Sequence, residues 1–226
     1  MSLEIFTELE QGSDEWLAAR CGIVTASVIG QLVTPTLKTA NNDTSRGLTN
    51  LLVAERITGR VVQVFANAAM QRGTLDEPYA RAKYSAHHAP VTEVGFMVRD
   101  FGDYQIGYSP DGLVGDDGLI EIKSREPKKH IATILADEVP AENMAQCQTG
   151  LLVAGRAWID YVSYCGGMPL WTKRIYPDIR WQLAIKEAVE QFENNSLGII
   201  ANYMEAVEGL PKTERIDHFA EMEITF

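Results

Sequence analysis

Between Gly107 and Lys123 the chain carries short apolar segments on either side of a tight turn, and this pairing constrains the rest of the fold. In Leu119-Ile-Glu-Ile-Lys123 the two-residue period of a strand sends Ile120 and Ile122 to one face, and Glu121 and Lys123 to the other. Gly115-Asp-Asp-Gly118 is a hairpin signal. On the far side of it Asp111 sits in a Pro-Asp-Gly turn at a strand end. A hairpin closed there brings Asp111 beside Glu121. Two carboxylates and one ammonium then meet on a sheet surface while the isoleucines enter a core.

The flanking sequence supplies elements to cover such a sheet. Ser13-Asp-Glu opens a helix with a cap and two acids, and Thr25–Val33 reads as a short helix begun by small hydroxyl residues. Residues 34–43 form a Pro/Thr/Asn loop expected to be mobile. Helical periodicity returns over 44–58 and 67–85. Strand-like segments follow at Val91–Arg99, Tyr104–Ser109, Gly112–Val114 and Leu119–Lys123. Helices are expected over 127–136 and 141–153, the second opened by Pro140. Ala157–Tyr164 and Leu170–Tyr176 read as strands, and a long helix spans 178–206. This order predicts a single α/β domain over 1–226, a central mixed sheet flanked by helices, with a catalytic core at about 67–176.

The three scattered cysteines, Cys21, Cys147 and Cys165, suit neither a disulfide framework nor a zinc or iron–sulfur site and favour a reducing, cytoplasmic setting. The amino-terminal residues lack the apolar stretch of a signal peptide. No window has the roughly 18 apolar residues of a membrane span, so no membrane partner is expected. The net charge of −11 weighs against a nucleic-acid partner. It is uneven, however. Residues 187–226 hold nine acids and two bases, a net −7, leaving −11 − (−7) = −4 for the remainder. Lys123–His130 holds four bases and one acid, which leaves room for a basic face on an acidic body.

The Asp111, Glu121 and Lys123 set suits phosphodiester hydrolysis. A hard divalent cation takes carboxylate oxygens, the Ile122 carbonyl can add a third, and a lysine can orient or deprotonate the attacking water and offset transition-state charge. Taken separately, Pro-Asp-Gly is also an ordinary turn and Glu-x-Lys an ordinary solvated strand face. His87-His88 reads as a surface pair, and the four tryptophans as core or interface residues.

Asp111 with Glu121-Ile-Lys123 resembles the PD-(D/E)xK nuclease signature, and within it the chain is similar to the lambda-type phage exonucleases of the YqaJ-like viral recombinase family. Further blocks carry the likeness: Arg20-Cys-Gly-Ile-Val-Thr-Ala-Ser27, Gly73-Thr-Leu-Asp-Glu77 and Met144-Ala-Gln146. The resemblance implies degradation of one strand of linear double-stranded DNA from its 5′ end, with Mg²⁺, two ions per site, Mn²⁺ able to substitute. It implies a metal-site carboxylate at Glu77 and a site glutamine at Gln146. It places the 5′-phosphate among Arg20, Ser27, Ser109 and Lys129, the last where the family usually has arginine. It also implies a homotrimeric ring and a single-strand annealing protein as partner. The alternatives are a structure-specific or restriction-type endonuclease on the same core, and a catalytically silent module that binds DNA ends.

Overall fold

The computed structural model describes residues 2–61 and 67–216. The chain runs β1 (Ser2–Phe6), α1 (Asp14–Arg20), β2 (Val24–Thr25), a 3-10 turn (Ile29–Gln31), α2 (Asp43–Thr58), α3 (Ala68–His87) and then β3 (Phe96–Asp100). There follow β4 (Gln105–Tyr108), β5 (Gly112–Val114), β6 (Gly118–Ser124), α4 (Pro127–Ala136), α5 (Ala141–Ala154), β7 (Trp158–Tyr164), β8 (Trp171–Ile175) and α6 (Ile179–Ala206). The mixed α/β class is as expected. The strands, however, divide into two four-stranded sheets, β1-β3-β4-β2 and β5-β6-β7-β8, each containing one parallel pair.

Two readings of the amino-terminal part need correction. Residues 2–6 form a strand paired antiparallel with β3, where no strand was expected. The segment 25–33 is not one helix: Val24 and Thr25 pair in parallel with Ile106 and Gly107, and only a single 3-10 turn follows. The β-branched pair Val24-Thr25 favours a strand, and tertiary pairing with β4 outweighs the local signal of small hydroxyl residues. Residues 34–40 form a hydrogen-bonded turn, in which the Thr34 N–H donates to the Lys38 carbonyl (2.8 Å) and the Ala40 N–H to that of Leu32 (2.7 Å).

The hairpin is as predicted. Gly112 lies opposite Ile120, which brings Asp111 level with Glu121, and Gly115 at the turn has φ +53°. Ile120 and Ile122 pack with Ala80 and Tyr84 of α3 and Val162 of β7. The other face of β6 looks toward α5, where Leu119 joins the main core with Ala145, Cys147, Leu151 and Tyr161. Burying each isoleucine stabilises by about 2–3 kcal/mol. A one-residue slip would turn both isoleucines toward α5 and drive Glu121 and Lys123 into the apolar layer under α3, so the register is strongly determined.

A buried polar network fixes α3 against the second sheet. The Tyr84 hydroxyl donates to Asp160 Oδ2 at 2.7 Å, and Arg174 donates to both Asp160 oxygens at 2.8 and 2.9 Å. The Arg174 guanidinium lies 3.5 Å from the centre of the Trp158 ring. Tyr84→Phe removes one hydrogen bond and leaves Asp160 its arginine. The expected cost is about 1 kcal/mol, a fall of about 2–4 °C in thermal midpoint, read by calorimetry. An unchanged midpoint would mean that the contact contributes nothing.

Candidate active site

Four side chains converge where the β5–β6 hairpin faces α5. Asp111 Oδ2 accepts a hydrogen bond from the Ile122 N–H at 2.5 Å, which ties the turn to the strand beside it. Glu121, only 1% exposed, has Lys123 Nζ at 2.7 Å and Gln146 Nε2 at 2.6 Å, both on Oε1. The Tyr108 hydroxyl donates to Glu121 Oε2 at 3.3 Å. The two-residue strand period presents Glu121 and Lys123 together, and α5 reaches them with Gln146 from its second turn.

Electrostatics explains why this cluster is under tension. Asp111 is partly open to the cleft but surrounded by protein, and burial first, then Glu121 and Glu77, raises its pKa well above the usual carboxylate range. Burial also raises that of Glu77, against the pull of Arg81. For Lys123, burial disfavours the ammonium, but Glu121 and Asp111 together outweigh it and raise the pKa, so the side chain is held protonated. Cys147, next in sequence to Gln146, is pushed well up by burial and by Glu121, and is an inert thiol in the wall.

A cavity of about 470 Å³ opens over this cluster, and its lining joins it to the amino-terminal block. Asp111, Glu121, Ile122, Lys123, Glu77 and Gln146 line it together with Arg20, Ser27 and Ser109. The Arg20 guanidinium sits 4.3 Å from the centre of the Trp16 ring, while Trp16 Nε1 donates to Ser109 Oγ at 3.0 Å. The Ser27 hydroxyl bonds that of Thr25 at 3.0 Å, and the turn that follows has no side-chain cap. The turn after Arg20 is locked to α2. Gly22 has φ +69°, its N–H donates to Glu55 Oε2 at 2.9 Å, its carbonyl accepts from Arg56 Nε at 2.6 Å, and a Cβ there would collide with the Arg56 side chain.

Lys129 stands apart from its expected companions. It is exposed on α4 and is not among the residues lining this cavity. Nor do the bases of 123–130 form one face. Lys123 pairs with Glu121, Arg125 is bound to Tyr161, Asn143 and Glu142, and His130 is fully buried between Ser163 and the Pro169 carbonyl. Lys128 and Lys129 are left exposed. His87 and His88 are exposed, as expected of a surface pair.

Sequence reasoning missed three contributors. Trp16 is a core residue, as expected, packed with Phe96 and Val98, and in addition it links Arg20 to Ser109. Tyr108, fully buried, reaches Glu121. Arg81 of α3 donates to the Asp111 carbonyl and pairs with Glu77. For Arg81 a signal existed, the Glu77–Arg81 spacing of four on a helix.

The donor set suits a hard cation. Among the described residues no three His, Cys, Asp or Glu side chains stand close enough together to enclose an ion. A hard cation such as Mg²⁺ commonly takes only one or two protein carboxylates and completes its shell with water and phosphate oxygens, a demand that the carboxylates lining this cavity can meet.

A carboxylate at a hairpin mouth, a Glu-x-Lys strand beside it and a mixed α/β frame define a nuclease of the PD-(D/E)xK type, an enzyme that hydrolyses phosphodiester bonds. The profile of the YqaJ-like viral recombinase domain matches residues 15–157, and the chain belongs to that family. It is 36% identical to the alkaline exonuclease LHK-Exo from Laribacter hongkongensis, over 88% of this chain and 100% of that one, with a TM-score of 0.78. The structure of LHK-Exo in complex with dAMP gives a TM-score of 0.77 at the same identity and coverage. A phage related exonuclease from Haemophilus somnus 129PT shares the fold, with a TM-score of 0.64 and 14% identity over 80% of this chain and 96% of that one. No curated protein sequence matches. Among the described residues no helix is long and apolar enough to cross a membrane.

Proposed function

We propose that the protein is a Mg²⁺-dependent 5′-to-3′ exodeoxyribonuclease. It hydrolyses one strand of linear double-stranded DNA processively to 5′-mononucleotides and leaves a 3′ single-stranded tail for recombination. One observation carries the reading: the Asp111, Glu121, Lys123 and Gln146 cluster shares a single cavity with Arg20, Ser27 and Ser109. An arginine beside two hydroxyls is chemistry for a phosphate monoester. At that position it selects a strand end over an internal phosphate. The exonuclease relatives, one of them in complex with dAMP, favour the same reading.

Asp111, Glu121 and the Ile122 carbonyl would hold Mg²⁺, with Glu77 adding its carboxylate from α3, two ions per site, and Mn²⁺ able to substitute. The metal supplies polarisation of the scissile phosphate and a lowered pKa for its water. Lys123 orients that water and offsets charge on the phosphoryl oxygens in the transition state. The Gln146 amide holds the Glu121 carboxylate in the orientation that Lys123 also uses. Arg20, Ser27 and Ser109 grip the terminal 5′-phosphate and so set polarity. Lys129, exposed on α4 and outside the cavity lining, is not part of that grip.

The family resemblance implies a homotrimeric ring, which would reconcile the acidic chain with DNA because bases can line a channel around the duplex while the acids face water. Such a ring also gives processivity a cause. A single-strand annealing protein taking the 3′ strand and a cytoplasmic location complete the proposal.

The test is a time course on duplex labelled at one end, comparing 5′-phosphate with 5′-hydroxyl termini. We expect mononucleotide release from the 5′-phosphorylated end, with the hydroxyl end at least about tenfold slower and all turnover stopped by EDTA. Cutting of covalently closed circles would instead identify an endonuclease. End binding without hydrolysis would identify a silent binding module.

A further inference from the structure

Resting on the metal-dependent reading above, we infer that Arg81 is a positioning residue that sets the separation of Asp111 and Glu77, and through it the affinity of the site for a divalent cation. The guanidinium reaches three partners at once. Nε donates to the Asp111 carbonyl at 2.8 Å, one terminal nitrogen pairs with Glu77 Oε1, and the other lies 2.7 Å from Glu93 Oε2. Its side chain is 13% exposed, against 71% for Glu93. The strong contacts are therefore the inner two, and both involve residues assigned to the metal.

The geometry explains why the residue must be arginine. Glu77 stands on α3, whereas Asp111 stands in the turn between β4 and β5, and no backbone pairing joins those elements. The Asp111 side chain is tied to the Ile122 N–H, and its carbonyl to Arg81. The planar fork spans the gap in one rigid unit, with Nε on a peptide oxygen and the neighbouring terminal nitrogen on a carboxylate. Lysine has one nitrogen on a flexible stem and cannot hold both at fixed separation. Arg81 also places a cation beside two crowded acids without taking up the cavity, since it is absent from the lining residues. Pro78, one residue after Glu77, removes an N–H from the helical ladder at this level, so side-chain contacts contribute more to fixing Glu77.

The test measures metal binding directly, without turnover. Mn²⁺ is titrated into the full chain by calorimetry, and by electron paramagnetic resonance of the free ion, for the unmodified protein, Arg81→Lys and Glu93→Gln. Kinetics on linear duplex are followed in parallel at several Mg²⁺ concentrations. Arg81→Lys is expected to weaken Mn²⁺ binding about 10- to 100-fold. Its metal-free thermal midpoint and its KM for DNA should stay close to the unmodified values, and excess Mg²⁺ should restore part of kcat. Glu93→Gln, which loses only the outer contact, should bind Mn²⁺ within about twofold of the unmodified protein. Equal Mn²⁺ affinity in folded Arg81→Lys overturns this inference and leaves the nuclease reading intact. Failure of the unmodified chain to bind Mn²⁺ overturns both.

Discussion

Lys123→Ala is expected to slow hydrolysis of linear duplex DNA about 100- to 1,000-fold under single-turnover conditions. The variant should still fold. Glu121 keeps two donors when the ammonium is gone, the Gln146 amide at 2.6 Å and the Tyr108 hydroxyl at 3.3 Å. The cost to stability is moderated because Lys123 is 28% exposed and water can reach the vacated position. The loss therefore falls on chemistry, where a cation beside the scissile phosphate is needed most at the transition state. Rates are compared below the variant's own melting temperature, checked by circular dichroism. A folded variant working within about threefold of the unmodified rate would remove Lys123 from the mechanism.

Asp111→Asn should abolish turnover, a fall of about three orders of magnitude or more, and yet stabilise the metal-free protein. Burial, Glu121 and Glu77 raise the Asp111 pKa in the folded chain above its unfolded value. A raised carboxyl contributes stability that is fully present below the unfolded pKa and is lost as pH rises through the folded one. At alkaline pH without metal, the native state therefore carries a charge that burial and its acidic neighbours oppose. Asparagine has no such charge and keeps an oxygen to accept from the Ile122 N–H. Scanning calorimetry in EDTA should show the variant melting higher at alkaline pH, with the gap closing as pH falls. Added Mg²⁺ should raise the midpoint of the unmodified chain and leave the variant nearly unmoved. If instead the variant melts lower at alkaline pH, the carboxylate is not under the repulsion described here.

How far the site could be read from the sequence follows the range of the forces involved. Asp111, Glu121 and Lys123 lie on one hairpin, and a two-residue period with a turn of known type settles which of them share a face. The helices expected over 127–136 and 141–153 form as Pro127–Ala136 and Ala141–Ala154, the second opened by Pro140 and ended by Gly155 with φ +70°. Arg20, Ser27 and Ser109 were found only through family resemblance. No local period connects Ser27 to Ser109; their proximity comes from the pairing of Val24-Thr25 with β4, a strand more than 80 residues away in sequence. The same pairing explains the misread helix over 25–33, and a second long-range pairing, with β3, makes the unexpected strand at Ser2–Phe6.

Lys129 shows the opposite limit. Its sequence neighbours Lys123 and Arg125 turn inward to Glu121 and Tyr161, while Lys129 faces water on α4, so closeness in the chain did not make a shared surface. The sequence by itself determined the hairpin, its register and the three polar groups it presents, because alternation and turn chemistry act within a few residues. Only the tertiary structure decided that Gln146, Arg81, Trp16 and the Arg20 turn close around that hairpin. Those contacts depend on two sheets and α5 packing together, and packing is a property of the assembled core, which no short stretch of chain contains.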